Sequence, residues 1–211
     1  WVKDGPVWWP LVRTLSVSMV SDPNLNLTFS ALHSPRLERL TWLNLDTNKM
    51  RAEHIEILAN SPHLGRLKEL RLSANHLNDD AVRLLANSRN LPALESLGLR
   101  RNEIGDEGAI ALATSAHLPN LTYVDLSINQ VGNAGAIALA KRAQASKLQT
   151  ICLYYNQIGN PGARAITKAA QQSDLCSARL TGNPHSDILF PSGKEGGSIL
   201  DRLRHWWNDT T

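Results

Sequence analysis

Tyr123, Tyr154 and Tyr155, together with Arg71, Arg100 and Arg101 and, nearer the amino end, Trp42, are the side chains of this 211-residue chain whose types and positions could do chemistry. That chemistry is recognition. A tyrosine supplies a large contact area with a polar tip, and a guanidinium can stack on a ring or fork onto a carboxylate. The groups that catalysis needs do not assemble. Ala52-Glu53-His54-Ile55-Glu56 sets a His between carboxylates, yet it lacks the spacing of a zinc-binding helix and reads as a solvated helix face. The seven His are scattered through joints and turns, no Ser or Cys stands in a nucleophile motif, and no glycine-rich phosphate loop follows a strand. The sequence points to no enzyme, no cofactor and no metal.

What must position the tyrosines and arginines is a repeat. Asn48, Asn75, Asn102, Asn129, Asn156 and Asn183 stand 27 residues apart, and each closes a stretch written, or nearly written, L-x-x-L-x-L-x-x-N. The cleanest copy has Leu94, Leu97, Leu99, Asn102 and Ile104; the sixth has Leu175, Ala178, Leu180 and Asn183 but puts His185 where an aliphatic belongs. Val12, Leu15 and Val17 form a degenerate copy 28 residues before the first full one. A period of this length implies a solenoid.

Around each L-x-L pair apolar and polar residues alternate, the signature of a short strand with one face in a core. Leu97 and Leu99 are expected inside, with Gly98 and Arg100 outside. The turn that follows leaves buried backbone groups, and an inward Asn amide offers both donors and an acceptor to meet them. The six Asn are therefore expected to form a structural ladder. The second half of each repeat is helical in pattern. Asp106 and Glu107 suit the positive end of a helix, and Ala109, Leu112 and Ala113 fall on one stripe, as do Ala136, Leu139 and Ala140. Gly108, Gly135 and Gly162 are expected to let the helix lie close to the sheet. Helices are expected to stop at joints such as Ser61-Pro62, Leu91-Pro92 and Leu118-Pro119.

These motifs resemble the leucine-rich repeat family, and the unit N-x-I-G-x-x-G-A-x-A-L-A resembles its ribonuclease-inhibitor-like class. The unit beginning at Leu121 is also similar to long repeat arrays in bacterial proteins. The resemblance implies an α/β fold, a right-handed αβ horseshoe with parallel strands on the concave face and helices on the convex face. It also implies binding of another macromolecule rather than catalysis.

In such an array the outward strand positions read as columns: Trp42, Glu69, Ser96, Tyr123, Thr150 and Ser177; then Asn44, Arg71, Gly98, Asp125, Cys152 and Arg179; then Asp46, Ser73, Arg100, Ser127, Tyr154 and Thr181. A neighbouring edge gives Thr47, Ala74, Arg101, Ile128, Tyr155 and Gly182. All three tyrosines of the chain fall in these columns, and Tyr, Trp and Arg dominate binding hot spots. The expected partner surface is Trp42, Arg71, Arg100, Arg101, Tyr123, Tyr154 and Tyr155, and the expected partner is another protein. Two other readings stand beside it: a sensing or targeting segment of a larger enzyme or effector, and glycan or cell-wall recognition through the same aromatics.

Length allows one solenoid core, divided as an amino-terminal cap with a degenerate repeat at 1–36, six repeats at 37–185, and a linker with a capping helix at 186–211. A net charge of +3 with interspersed acids does not suggest a nucleic-acid partner, and no apolar run is long enough to cross a bilayer. The first residue is Trp rather than Met, which reads as trimming or processing. Trp1, Trp8, Trp9, Trp206 and Trp207 lie outside the regular array, where they would cover the end leucines or, alternatively, dock a partner or a second copy of the chain. Cys152 and Cys176 are offset by three residues in the repeat, about 10 Å along adjacent strands and beyond the disulfide limit. The missing cysteine clamps favour a cytoplasmic location over a secreted one, against the weak signal of sequons at Asn26, Asn120 and Asn208.

Overall fold

Each repeat contributes one three-residue strand centred on the second apolar residue of its motif, and from the second strand to the sixth each is followed by an α-helix. The computed structural model describes residues 13–17, 32–173, 175 and 177–184. In chain order the elements are β1 Thr14–Ser16, β2 Trp42–Asn44, α1 Ala52–Ala59, β3 Glu69–Arg71, α2 Asp79–Asn87, β4 Ser96–Gly98, α3 Asp106–Thr114, β5 Tyr123–Asp125, α4 Asn133–Ala145, β6 Thr150–Cys152, α5 Asn160–Gln172 and β7 Ser177–Arg179. The strands form a single open, parallel sheet in sequence order. Its register follows the repeat: Thr14 pairs Trp42, and from there Leu43, Leu70, Leu97, Val124, Ile151 and Ala178 face one another in succession. Parallel strands need long crossovers, and here each crossover from β2 onward carries one helix.

Leucines of the strands and apolar stripes of the helices meet in one continuous core, with Leu97, Leu99, Ile104, Ala109, Leu112 and Leu118 of one repeat all essentially inaccessible. Strands repeat every ~4.8 Å while packed helices need roughly 8–10 Å, so the stack bends with the sheet on its concave side. Among the described residues, no helix is long and apolar enough to cross a membrane.

Three local expectations change. Gly108, Gly135 and Gly162 do not serve an approach of helix to sheet. A Cβ on Gly135 would meet Ala109 Cβ and Asp106 Oδ1 of the preceding helix at 2.8 Å and Val131 Cγ1 at 2.9 Å. These glycines allow helix to approach helix. Helices α2 and α3 end at Asn87 and Thr114, several residues before their prolines. Ser88 and Ser115 turn the chain to extended backbone there, and their hydroxyls donate to Ala59 O at 2.6 Å and Ala86 O at 2.5 Å in the preceding repeat. In α4 the equivalent residue is Arg142, buried, whose guanidinium donates to Leu112 O, Ser115 O and Leu118 O, and the helix runs on to 13 residues. His54, expected on a solvated face, is buried, and its Nδ1 accepts the Arg51 N–H at 3.1 Å at the start of α1.

The tryptophans at 1, 8, 9, 206 and 207, the stretch expected to form a carboxyl-terminal capping helix, His185, Cys176 and the sequons at Asn26 and Asn208 lie outside the described residues.

Candidate functional site

A ladder of amides ties together the turns that follow the strands of the concave sheet. Asn102 Nδ2 donates to Leu99 O in its own turn at 2.9 Å and to Leu72 O of the preceding repeat at 3.0 Å, while its Oδ1 accepts Leu77 N at 3.1 Å. Asn129 repeats the pattern on Leu126 O, Leu99 O and Ile104 N, Asn156 on Leu153 O, Leu126 O and Val131 N, and Asn183 on Leu180 O, Leu153 O and Ile158 N. Asn75 bonds Leu72 O and Leu45 O and accepts both Asn48 N and Met50 N, and Asn48 reaches Val17 O next to β1. Each amide thus ties its own turn to the repeat before it.

A second ladder, absent from the sequence reading, ties the helices. Asp79 Oδ1 accepts Gly105 N at 2.7 Å, Asp106 Oδ1 accepts Gly132 N at 2.7 Å and Gly135 N at 2.8 Å, and Asn133 Oδ1 accepts Gly159 N at 3.0 Å and Gly162 N at 2.9 Å. The first residue of one helix caps the next. This explains glycine at N-caps 105, 132 and 159, where no side chain of the repeat's own does the capping. The signal lay in the 27-residue spacing of Asp79, Asp106 and Asn133, which periodicity within one repeat does not expose.

The edge column is not a strand column. Thr47, Ala74, Arg101, Ile128 and Tyr155 all have φ between 53° and 60°, and Gly182 has φ 80°. Left-handed backbone is costly for a β-branched residue such as Ile128. Asn75, Asn102, Asn129 and Asn156, which follow four of these positions, fix the turn by bonding the carbonyls two and three residues before them. Arg101 and Tyr155 are therefore thrust outward from a rigid corner rather than laid on the sheet.

Of the seven expected binding residues, four gather on the carboxyl-terminal half of the sheet. The Arg100 guanidinium lies 5.4 Å from the centre of the Tyr154 ring, and Tyr154 and Tyr155 meet edge to face at 5.9 Å and 80°. Tyr123 lies across the strands with its hydroxyl 3.8 Å from Cys152 Sγ. Arg101 stands exposed at the neighbouring corner. Arg71 and Trp42 belong to the other half. Arg71 is only 13% exposed, with Nε 3.3 Å from Asp46 Oδ2, so its charge is largely matched within the fold.

Several positions expected to face solvent are covered. Gly98, Asp125, Ser127, Thr150 and Cys152 are all buried. Burial raises the Asp125 pKa above the usual carboxylate value, against the hydrogen bonds from Ser127 and the nearby charges of Arg100 and Arg179. Asp46 is raised for the same first reason, against Ser73 N–H and Arg71. Burial pushes the Cys152 thiol up to about 11, which leaves it protonated and unreactive at neutral pH, and it raises Tyr123 and Tyr154 as well. Asp125 and Arg179 were visible in the columns but carried no aromatic marker. Among the described residues, no group of His, Cys, Asp and Glu is placed to hold a metal ion.

Repeated parallel strands, helices on the other face and an inward Asn at each turn agree with a family model described as Leucine Rich repeat, which matches residues 90–113 and 117–140. The two matched segments are leucine-rich repeats. The leucine-rich-repeat fold is also that of internalin C2 of Listeria monocytogenes, to which the chain is similar with a TM-score of 0.52 and 24% identity over 85% of this chain and 76% of that one. Internalin InlF of the same organism is matched at a TM-score of 0.40 and 21% identity over 82% of this chain, which spans 54% of the internalin. Actin-binding site 2 of leiomodin-1 is matched at a TM-score of 0.46 and 13% identity over 77% of this chain and 81% of that one. No curated protein matches the sequence at a significant level.

Proposed function

We propose that this leucine-rich-repeat chain is a non-enzymatic recognition module that binds another protein on its concave sheet, through Arg100, Tyr123, Tyr154, Tyr155 and the adjacent Arg101. The observation that carries the reading is Tyr155, 60% exposed, held at a left-handed corner and against the edge of a Tyr154 ring that Arg100 already covers. An exposed ring is a solubility cost, and rings fixed in place before binding lose little entropy when a partner arrives. Seven strands give a face about 29 Å from first to last, enough for a standard protein interface. Trp42 at the amino-terminal side extends that face, and Arg71, matched by Asp46, shapes it.

The test is capture from the source lysate by the parent chain and by a variant carrying Tyr154→Ala and Tyr155→Ala, after circular dichroism shows equal folding. A protein retained by the parent and lost by the variant supports the reading. Equal retention refutes it. Retention of nothing, with tyrosine fluorescence that responds to saccharides, replaces the protein partner with a glycan.

A further inference from the structure

The two halves of the concave sheet carry different charge. Beside β2 and β3 the outward charges are Asp46, Glu69 and Arg71, and the one arginine is matched by Asp46. On β4 to β7 the arginines are not matched in this way. Arg100 is turned over the Tyr154 ring rather than onto a carboxylate, Arg179 is exposed, and neither forms an ion pair among the described residues. The one carboxylate between them, Asp125, is buried and accepts Ser127 N–H at 2.9 Å. The outward face of this half is cationic, with Tyr123 and Tyr154 on the same face as the two arginines and Arg101 at the neighbouring corner.

We infer that this half takes an acidic segment of the partner protein, laid across the strands, whose carboxylates meet Arg100 and Arg179 and whose apolar side chains lie beside the tyrosines. The inference rests on the recognition reading above and gives its partner a chemistry. Arg179 closes β7 in register with Gly98 of β4, and Arg100 lies two residues beyond Gly98, so the two α-carbons are about 14 Å apart across the strands and about 7 Å apart along them, about 16 Å in all. Carboxylates of a segment laid across β4 to β7 meet both guanidinium groups, and its apolar side chains lie beside the tyrosine rings.

The register supplies substitutions that the fold already accommodates. Ser73 and Ser127 occupy the column of Arg100, and Asn44 occupies that of Arg179, so Arg100→Ser with Arg179→Asn removes both charges without foreign shapes. Displayed random twelve-residue peptides are selected on the immobilised chain, and the enriched peptides are titrated against the parent, this double variant and the Tyr154→Ala, Tyr155→Ala variant. The expected result is enrichment of peptides that combine acidic and apolar residues, bound about tenfold more weakly by the double variant, two ion pairs being lost. No enrichment, enriched peptides without acidic residues, or acidic peptides held equally by the double variant overturns the inference. Peptides of other composition that fail only on the tyrosine variant overturn it while leaving concave recognition standing. Peptides indifferent to both variants remove both.

Discussion

Asn129→Ala removes one rung from the middle of the amide ladder, and its cost can be worked from the contacts. The wild-type amide donates to Leu99 O, Leu126 O and Ser127 O and accepts Ile104 N. Leu99 O also accepts from Asn102, and Leu126 O also accepts from Asn156, so those two carbonyls keep one partner each. Ile104 N–H keeps none of its own, on a residue with no exposed surface. A stranded buried donor costs about 1–3 kcal/mol, and three weakened carbonyls add about 1 kcal/mol each, so the expected loss is roughly 4–6 kcal/mol. The same amide also holds the left-handed turn at Ile128, where φ is 55°. A typical domain has only about 5–15 kcal/mol in hand, so this substitution should bring the array close to unfolding. Urea denaturation followed by far-ultraviolet circular dichroism measures the loss, with Gln144→Ala as the control because Gln144 bonds only the exposed Gln172 among the contacts described. If the two variants unfold at the same urea concentration, the ladder is not what holds the turns.

Three further outcomes follow from other contacts. Gly135→Ala should destabilise by about 1–3 kcal/mol because the new methyl group meets Ala109, Asp106 and Val131 at under 3.0 Å, whereas Gly65→Ala, with nothing within 4 Å, should be close to neutral in the same denaturation assay. Asp125→Asn should stabilise the chain near neutral pH and much less at about pH 3. Because the folded-state pKa of Asp125 is raised, the folded state holds the proton longer, and its stability falls as pH rises from the ordinary carboxylate value through the raised one. Asn44, in the same column, already makes the equivalent bond to Asp46 N at 2.8 Å, so an amide fits; an equal change in melting temperature at both pH values would refute the reasoning. Tyr155→Ala should leave stability within about 0.5 kcal/mol, since the ring is mostly exposed, while weakening partner capture; loss of folding instead would make the ring structural.

Much of the solenoid was legible because it is written within each repeat. Leu97 and Leu99 announce a strand, Ala109 and Leu112 a helix face, and Asn102 the turn between them. What escaped depends on contacts between repeats. Asp106 looks like an ordinary acidic helix start until Gly132 and Gly135, in the next repeat, are found on its carboxylate. Arg101, Ile128 and Tyr155 look like strand-edge residues because nothing in their types signals a left-handed backbone; the requirement comes from the Asn that follows. Arg142 reads as a surface cation on a helix, yet it closes carbonyls of the neighbouring repeat. The candidate site was legible as columns of residue types, and its division into a matched half and an unmatched half was not. That division depends on whether a guanidinium lies on a carboxylate, as Arg71 does, or on a ring, as Arg100 does.

The central claim is that the Tyr154–Tyr155 corner of the concave sheet meets the partner. Hydroxyl-radical footprinting of the chain, alone and with the captured protein bound, tests it directly, since Tyr155 at 60% exposure and Ile110 at 37% on α3 report opposite faces. The account predicts that oxidation of Tyr155 and Tyr154 falls on binding while that of Ile110 is unchanged. Protection of Ile110 with Tyr155 still open would place the partner on the helices and contradict it.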